Sequence, residues 1–111
     1  MEIVWLPSAD EAFRKLLRNV EDLFGRLVAE QVSERIYSHI DLLASFPGIG
    51  VCDSRFSTIK VHYLVNTPNI IYYTRSLNND KVIVISILNS KQSPENIYRV
   101  LVDALKANNL L

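Results

Sequence analysis

The chain has 111 residues, 49% of them hydrophobic, and its twelve basic side chains are balanced by twelve acidic ones. That length holds one domain with one core and not two, and the apolar content excludes a disordered polyelectrolyte. Zero net charge leaves no global field to draw the molecule to nucleic acid, and no apolar run approaches the roughly 18–20 residues that cross a bilayer.

The opening MEIVWLPSADE has neither the basic region nor the apolar core of a signal peptide, so a cytoplasmic location without membrane contact is expected. The single Cys52 offers no internal disulfide and no zinc set, and reads as a small loop residue. The charges are not evenly spread. Residues 1–52 carry five basic and eight acidic side chains, whereas residues 53–111 carry seven and four, so an acidic first half precedes a mildly basic second half.

Met1 to Leu6 is a short apolar run ended by Pro7, which predicts a strand covered on both sides. Ser8-Ala9-Asp10-Glu11 has the spacing of a capping box and predicts a helix opened by Ser8, with Phe13, Leu16, Leu17, Val20 and Phe24 along its apolar face. Gly25 breaks the pattern. A second helix is predicted from Arg26 to about Phe46, with Leu27, Val28, Val32, Ile36, Ile40, Leu43 and Ala44 as its stripe and Pro47 as its stop. The short connection makes the two helices an antiparallel hairpin. GIGVCDSRFS then reads as an irregular surface segment.

From Thr58 the period changes to two. Strands are predicted over Thr58–Val65, Asn69–Arg75 and Lys81–Leu88, joined by Asn66-Thr67-Pro68-Asn69 and Asn78-Asn79-Asp80 turns into an antiparallel meander. VIVISIL is apolar at nearly every residue, which predicts a central strand covered on both faces. Ser93-Pro94-Glu95 starts a last helix, with Ser as cap and Pro in its first turn; Ile97, Leu101, Ala104 and Leu105 share one side, and Tyr98 and Val102 point elsewhere. The order is β-α-α-β-β-β-α, an α+β domain over residues 1–111 in which the helix hairpin covers one sheet face.

This order, with the segments LPSADEAF, RIYSHIDLLASFPGIG, VHYLVNTPNIIYYTRS and VISILNSKQSPENI in sequence, resembles the RelE/ParE superfamily of small bacterial toxins over essentially the whole chain. The resemblance implies the toxin of a type II toxin-antitoxin pair, a plasmid-stabilising and growth-inhibiting element neutralised by a small antitoxin whose tail wraps around it. It divides on mechanism. RelE-like members enter the ribosome and cleave mRNA; ParE-like members lack that chemistry and poison DNA gyrase.

Metal-free RNA cleavage needs a base for the 2′-hydroxyl, an acid for the leaving oxygen and positive charge for the phosphorane. The polar candidates are Lys60, His62, Arg75, Lys91, Tyr98 and Arg99. Lys60 and His62 are two apart and share a strand face, and Arg75 on the next strand can approach them. In an active site His62 would be the base or acid and Lys60 and Arg75 the phosphate binders. Where many family members have a histidine after the last long strand, this chain has Asn89-Ser90, and neutral charge disfavours ribosome entry. The ParE-like reading is therefore preferred, with the nuclease and a non-toxic binding module as alternatives. Strand tyrosines Tyr63, Tyr72 and Tyr73 read as half-buried packing with hydroxyls at the surface. Tyr98, Val102, Leu110 and Leu111 are the candidate antitoxin contacts, and a homodimer is compatible with the apolar surface. No phosphate loop, catalytic triad or metal spacing is present, and no cofactor is expected.

Overall fold

A computed structural model describes residues 1–76, 78 and 80–111. Asn79, central to the second expected turn, lies outside the described residues. The elements are β1 (Glu2–Trp5), α1 (Pro7–Phe24), α2 (Arg26–Ser45), β2 (Val51–Cys52), β3 (Val61–Asn66), β4 (Asn69–Ser76), β5 (Lys81–Asn89) and α3 (Pro94–Ala107). They form a five-stranded sheet in the order β1-β5-β4-β3-β2. β3, β4 and β5 make the expected antiparallel meander, and β1 joins it parallel to β5, with Ile3 opposite Val82 and Trp5 opposite Val84. The sheet is thus mixed. β1 is an edge strand of intermediate burial, because β5 and the helix hairpin cover it from one side only.

Each sheet face has its own core. The hairpin buries Ala9, Phe13, Val32, Ile36 and Ile40 against Ile71, Val84 and Ile87, extended at one end by Leu43, Tyr73 and Val82. On the opposite face α3 buries Ile97, Leu101, Ala104 and Leu105 against Val61, Tyr72, Ile85 and Leu88. β5 therefore has both sides covered, as its nearly continuous apolar run predicts. A register shift allows this: Tyr72 pairs with Ser86 and Tyr73 with Val84, so Ile85 is an extra residue in the ladder and turns toward α3.

Gly25 joins the helices at φ 92°, a left-handed value that suits glycine, and its N–H closes α1 on the Glu21 carbonyl at 2.8 Å. α1 has 18 residues and spans about 27 Å. Phe24 and Leu27, expected in the apolar stripes, are 67% and 68% exposed on either side of the Gly25 turn and belong to none of the buried clusters.

Four local expectations are corrected. The capping box is not made: α1 begins at Pro7, Leu6 stands at the N-cap without a side-chain bond, and the Ser8 hydroxyl donates instead to the Ile85 carbonyl at 2.7 Å. Residues 58–60 precede β3 rather than belonging to it, and the irregular segment contains the two-residue strand β2, paired through Val51–Tyr63 and Cys52–His62. Tyr72 and Tyr73 are buried rather than half-exposed. The cap of α3 is as read: Ser93 Oγ accepts from the Asn96 N–H at 3.1 Å, with Pro94 at the start and Glu95 in the first turn.

Candidate functional site

His62 lies on the hairpin face of β3, paired with Tyr73 across β3 and β4. The two rings stack with centroids 5.3 Å apart and planes 22° apart. Tyr73 is itself fixed, since its hydroxyl donates to the Pro47 carbonyl and accepts from the Gly50 N–H, each at 2.9 Å. The helix-stopping Phe46-Pro47 segment and the loop after it thus become a lid on the tyrosine, whose ionisation burial pushes above the usual phenol value. His62 Nδ1 is buried without a hydrogen-bond partner.

Lys60, His62 and Arg75 are brought together. Lys60 is exposed just before β3, its carbonyl accepting from Thr74 Oγ1 at 2.8 Å, and Arg75 is exposed next to Thr74 on β4. Burial of the ring, then the Arg75 and Lys60 charges, hold the His62 pKa below the ordinary imidazole value. At neutral pH the cluster is two exposed cations beside a neutral, partly covered imidazole. Such an arrangement can hold an anion, and the imidazole is in its base form.

The other polar candidates lie elsewhere. Tyr98 and Arg99 are on α3, across the sheet, where Arg99 bonds Asn96; Lys91 is in the turn before α3, its N–H bonded to Asn89 Oδ1 at 2.8 Å. Among the proposed antitoxin contacts, Tyr98 is 40% and Leu111 45% exposed, while Val102 and Leu110 pack partly buried against the α3 core. Tyr98 also flanks Phe56, with ring centroids 5.1 Å apart, and the Arg55 guanidinium lies 5.7 Å from its ring centre.

Arg55 is a residue the sequence reading did not single out. It grips Asp53 through two nitrogens, Nη2 to Oδ2 at 2.6 Å and Nε to Oδ1 at 3.0 Å, and its Nη1 donates to the Pro94 carbonyl at 3.1 Å. The guanidinium holds the Asp53 carboxyl below the usual carboxylate range. This ties the loop before β3 to the start of α3. A D-x-R triplet in a loop was the available signal.

The exact topology of a short strand, a helix hairpin, a meander and a covering helix bears directly on kinship. A family model described as "ParE toxin of type II toxin-antitoxin system, parDE" matches residues 3–94. The chain belongs to the ParE toxin family. No curated protein matches it. The ParE match covers β1 through the start of α3, so it includes the hairpin, the meander and all of Lys60, His62 and Arg75. This ParE toxin also presents a groove of about 1070 Å³ between α1 and α3, walled by Leu16, Val20, Leu23 and Phe24 on one side and by Val100 and Ala104 on the other. No helix among the described residues is long and apolar enough to cross a membrane.

Proposed function

We propose that this ParE-family toxin acts in the cytoplasm by binding and poisoning DNA gyrase, and that a cognate antitoxin holds it inactive. The family match over residues 3–94 carries the reading. The state of His62 supports it: the one histidine of the polar cluster has a buried, unpartnered Nδ1, a ring stacked on Tyr73 and a depressed pKa. It is poorly placed to deliver a proton to a leaving oxygen at neutral pH.

The antitoxin is proposed to dock on the outer side of α3 and the segment after it, with exposed Tyr98 and Leu111 as anchors over Val102 and Leu110. Replacing Tyr98 with Ala and Leu111 with Glu should weaken that complex without unfolding the chain.

The test of the target is induction of the toxin alone while incorporation of labelled thymidine and labelled amino acids is followed over the first minutes. Early arrest of DNA synthesis, with trapped gyrase–DNA complexes, is the expected result. The convergence of Lys60 and Arg75 on His62 favours a second reading, mRNA cleavage, and early arrest of protein synthesis abolished by Arg75→Ala would establish it in place of the first. Soluble toxin with no effect on either label would leave a binding module.

A further inference from the structure

Tyr72 and Tyr73 are neighbours on β4 and point to opposite faces of the sheet. The Tyr73 hydroxyl has two partners, at Pro47 and Gly50, whereas no described residue accepts the proton of the Tyr72 hydroxyl. Tyr72 is 4% exposed, and burial pushes its phenol above the usual value, so the proton stays on the oxygen at neutral pH. Arg55 lies beside it, but a guanidinium only donates and cannot take that proton. Among the described residues His62 Nδ1 is the one fully buried side-chain polar atom without a partner, so the Tyr72 oxygen keeps an opening. It opens into a cavity of about 500 Å³ between the loop before β3, strands β3 and β4, and the start of α3.

The chemistry of the wall selects the occupant. Asp53 is the one acidic side chain that lines the cavity, and its two oxygens are held by Arg55 at 3.0 and 2.6 Å, so a cation finds no free carboxylate. Arg55 uses Nε and Nη2 on Asp53 and one Nη1 hydrogen on the Pro94 carbonyl, which leaves two of its N–H groups free to donate. Those groups, the Tyr72 O–H and the hydroxyls of Ser54 and Ser90 make a rim rich in donors, at the positive end of the 14-residue α3. Asp53 offsets the Arg55 charge, so the rim suits one negative charge better than the two of a phosphate dianion. The remaining wall is apolar: the Tyr63 and Tyr72 ring centres are 6.2 Å apart, and Ile70 and Ile97 lie beside them. The volume is within the range of cavities that hold small molecules.

We propose that this cavity binds a small carboxylate with an apolar body, its oxygens accepting from Tyr72 and Arg55 and its hydrocarbon lying against Tyr63, Ile70 and Ile97. Such a site goes beyond the toxin reading and does not depend on the cellular target. Arg55 already joins the loop at Asp53 to the start of α3, so an occupant bonded to Arg55 braces that junction and should raise the melting temperature by mass action.

The test is a titration of the nitrogen-15-labelled chain with sodium benzoate at neutral pH and fixed ionic strength, followed by amide resonances, with benzamide and inorganic phosphate as comparison probes. Benzoate should give saturable shifts confined to residues 53–55, 72 and 90–97, with millimolar affinity, and benzamide should bind at least tenfold more weakly. Tyr72→Phe removes a hydroxyl whose proton has no acceptor in the fold, so it should leave the thermal melt in place while weakening benzoate at least fivefold. Ser90→Asp, an exposed substitution that adds a negative charge at the rim, should abolish binding in a folded chain. No saturable shift with benzoate, shifts scattered outside the cavity, or equal binding of benzamide overturns the proposal. So does inorganic phosphate bound as tightly as benzoate, which would make the rim a general anion site, and so does undiminished benzoate binding by either folded variant. A destabilised Tyr72→Phe overturns it too, since the hydroxyl would then have a partner within the fold.

Discussion

The hydroxyl end of Tyr73 occupies the space that a side chain on residue 50 would need. A Cβ built on Gly50 would meet that hydroxyl and would stand 2.7 Å from Tyr73 Cε1 and 2.9 Å from the Tyr63 carbonyl, whereas one on Gly48 meets nothing within 4 Å. The closest atoms belong to a fully buried ring and to backbone, so neither can swing away. Gly50→Ala is expected to destabilise the fold by about 1–3 kcal/mol, and Gly48→Ala to be close to neutral. Urea titrations of both variants check this; equal midpoints would remove the steric account. Tyr73→Phe should also cost about 1–3 kcal/mol, by leaving the Gly50 N–H and the Pro47 carbonyl without their partner.

His62 makes stability depend on pH on the acid side of neutrality. An unfolded imidazole takes up its proton near pH 6.5, while the folded ring, desolvated and facing Arg75 and Lys60, does so at lower pH. The unfolded state therefore binds more protons in that window. Stability is fully present above about pH 6.5 and is lost as the pH falls through the folded value. His62→Phe keeps a ring against Tyr73, removes the unpartnered Nδ1 and should flatten the profile between about pH 7.5 and 5.5. Urea midpoints at those two pH values distinguish the proteins, and an unchanged slope in the variant would falsify the assignment.

Asp53 acts lower on the pH scale. Its side chain is 7% exposed and bonded by an Arg55 that is 35% exposed, so its carboxyl is held below the usual range. The sign is that of a depressed carboxylate: stability is present above the unfolded value near 3.9 and is lost as the pH falls through the folded one. Asp53→Asn should lower neutral-pH stability by about 1–2 kcal/mol, discounted because Arg55 is in part solvated. The same variant should lose less between pH 4 and pH 2. A thermal melt series over that range measures both effects.

The features legible in the sequence were those set by neighbours along the chain. The helix hairpin, the strand periods after Val61 and the Ser93 cap follow from spacing, and each forms where expected. What stayed hidden depends on partners far away in sequence. Ser8 has the composition of a cap, yet its hydroxyl finds the Ile85 carbonyl 77 residues on, because β1 runs alongside β5 and delivers the start of α1 there. Tyr73 looks like any strand tyrosine until the loop through Gly50 closes over it. Phe24 and Leu27 obey helical spacing, but spacing does not say whether a helix position meets another element of the fold. For the site, Lys60, His62 and Arg75 were brought near one another by strand register, a local rule. Arg55 was missed because its role comes from a contact with the Pro94 carbonyl, 39 residues away.

The two serines at helix starts should respond differently to removal of their hydroxyls. Ser93 satisfies the Asn96 N–H at the exposed start of α3, so Ser93→Ala should cost about 1 kcal/mol. Glu11 makes no return bond to a cap, and Glu11→Gln should leave stability within about 0.5 kcal/mol. Ser8→Ala should act through β5, by freeing the Ile85 carbonyl at the register shift, and faster amide exchange near residues 84–86 is its signature. Exchange confined to the first turn of α1 would instead return Ser8 to a capping role.

Trp5, the only tryptophan, reports whether β1 and the hairpin are docked. Its ring centre lies 5.4 Å from that of Phe13 on α1 and 5.6 Å from that of Tyr37 on α2, and the latter two meet edge-on at 5.2 Å. One strand and both helices thus converge on a single aromatic cluster. Phe13 is 4% exposed and Tyr37 47%, so the two should differ sharply on truncation. Phe13→Ala is expected to cost about 3–5 kcal/mol through the cavity it leaves, with Trp5 emission shifted to the red before global unfolding. Tyr37→Ala should cost about 0.5–1.5 kcal/mol, the size of an aromatic pair with little burial lost. Fluorescence-detected and far-ultraviolet dichroism melts recorded together test the docking: in Phe13→Ala the fluorescence transition should precede loss of helix. Coincident transitions would mean that β1 and the hairpin separate only when the whole domain unfolds.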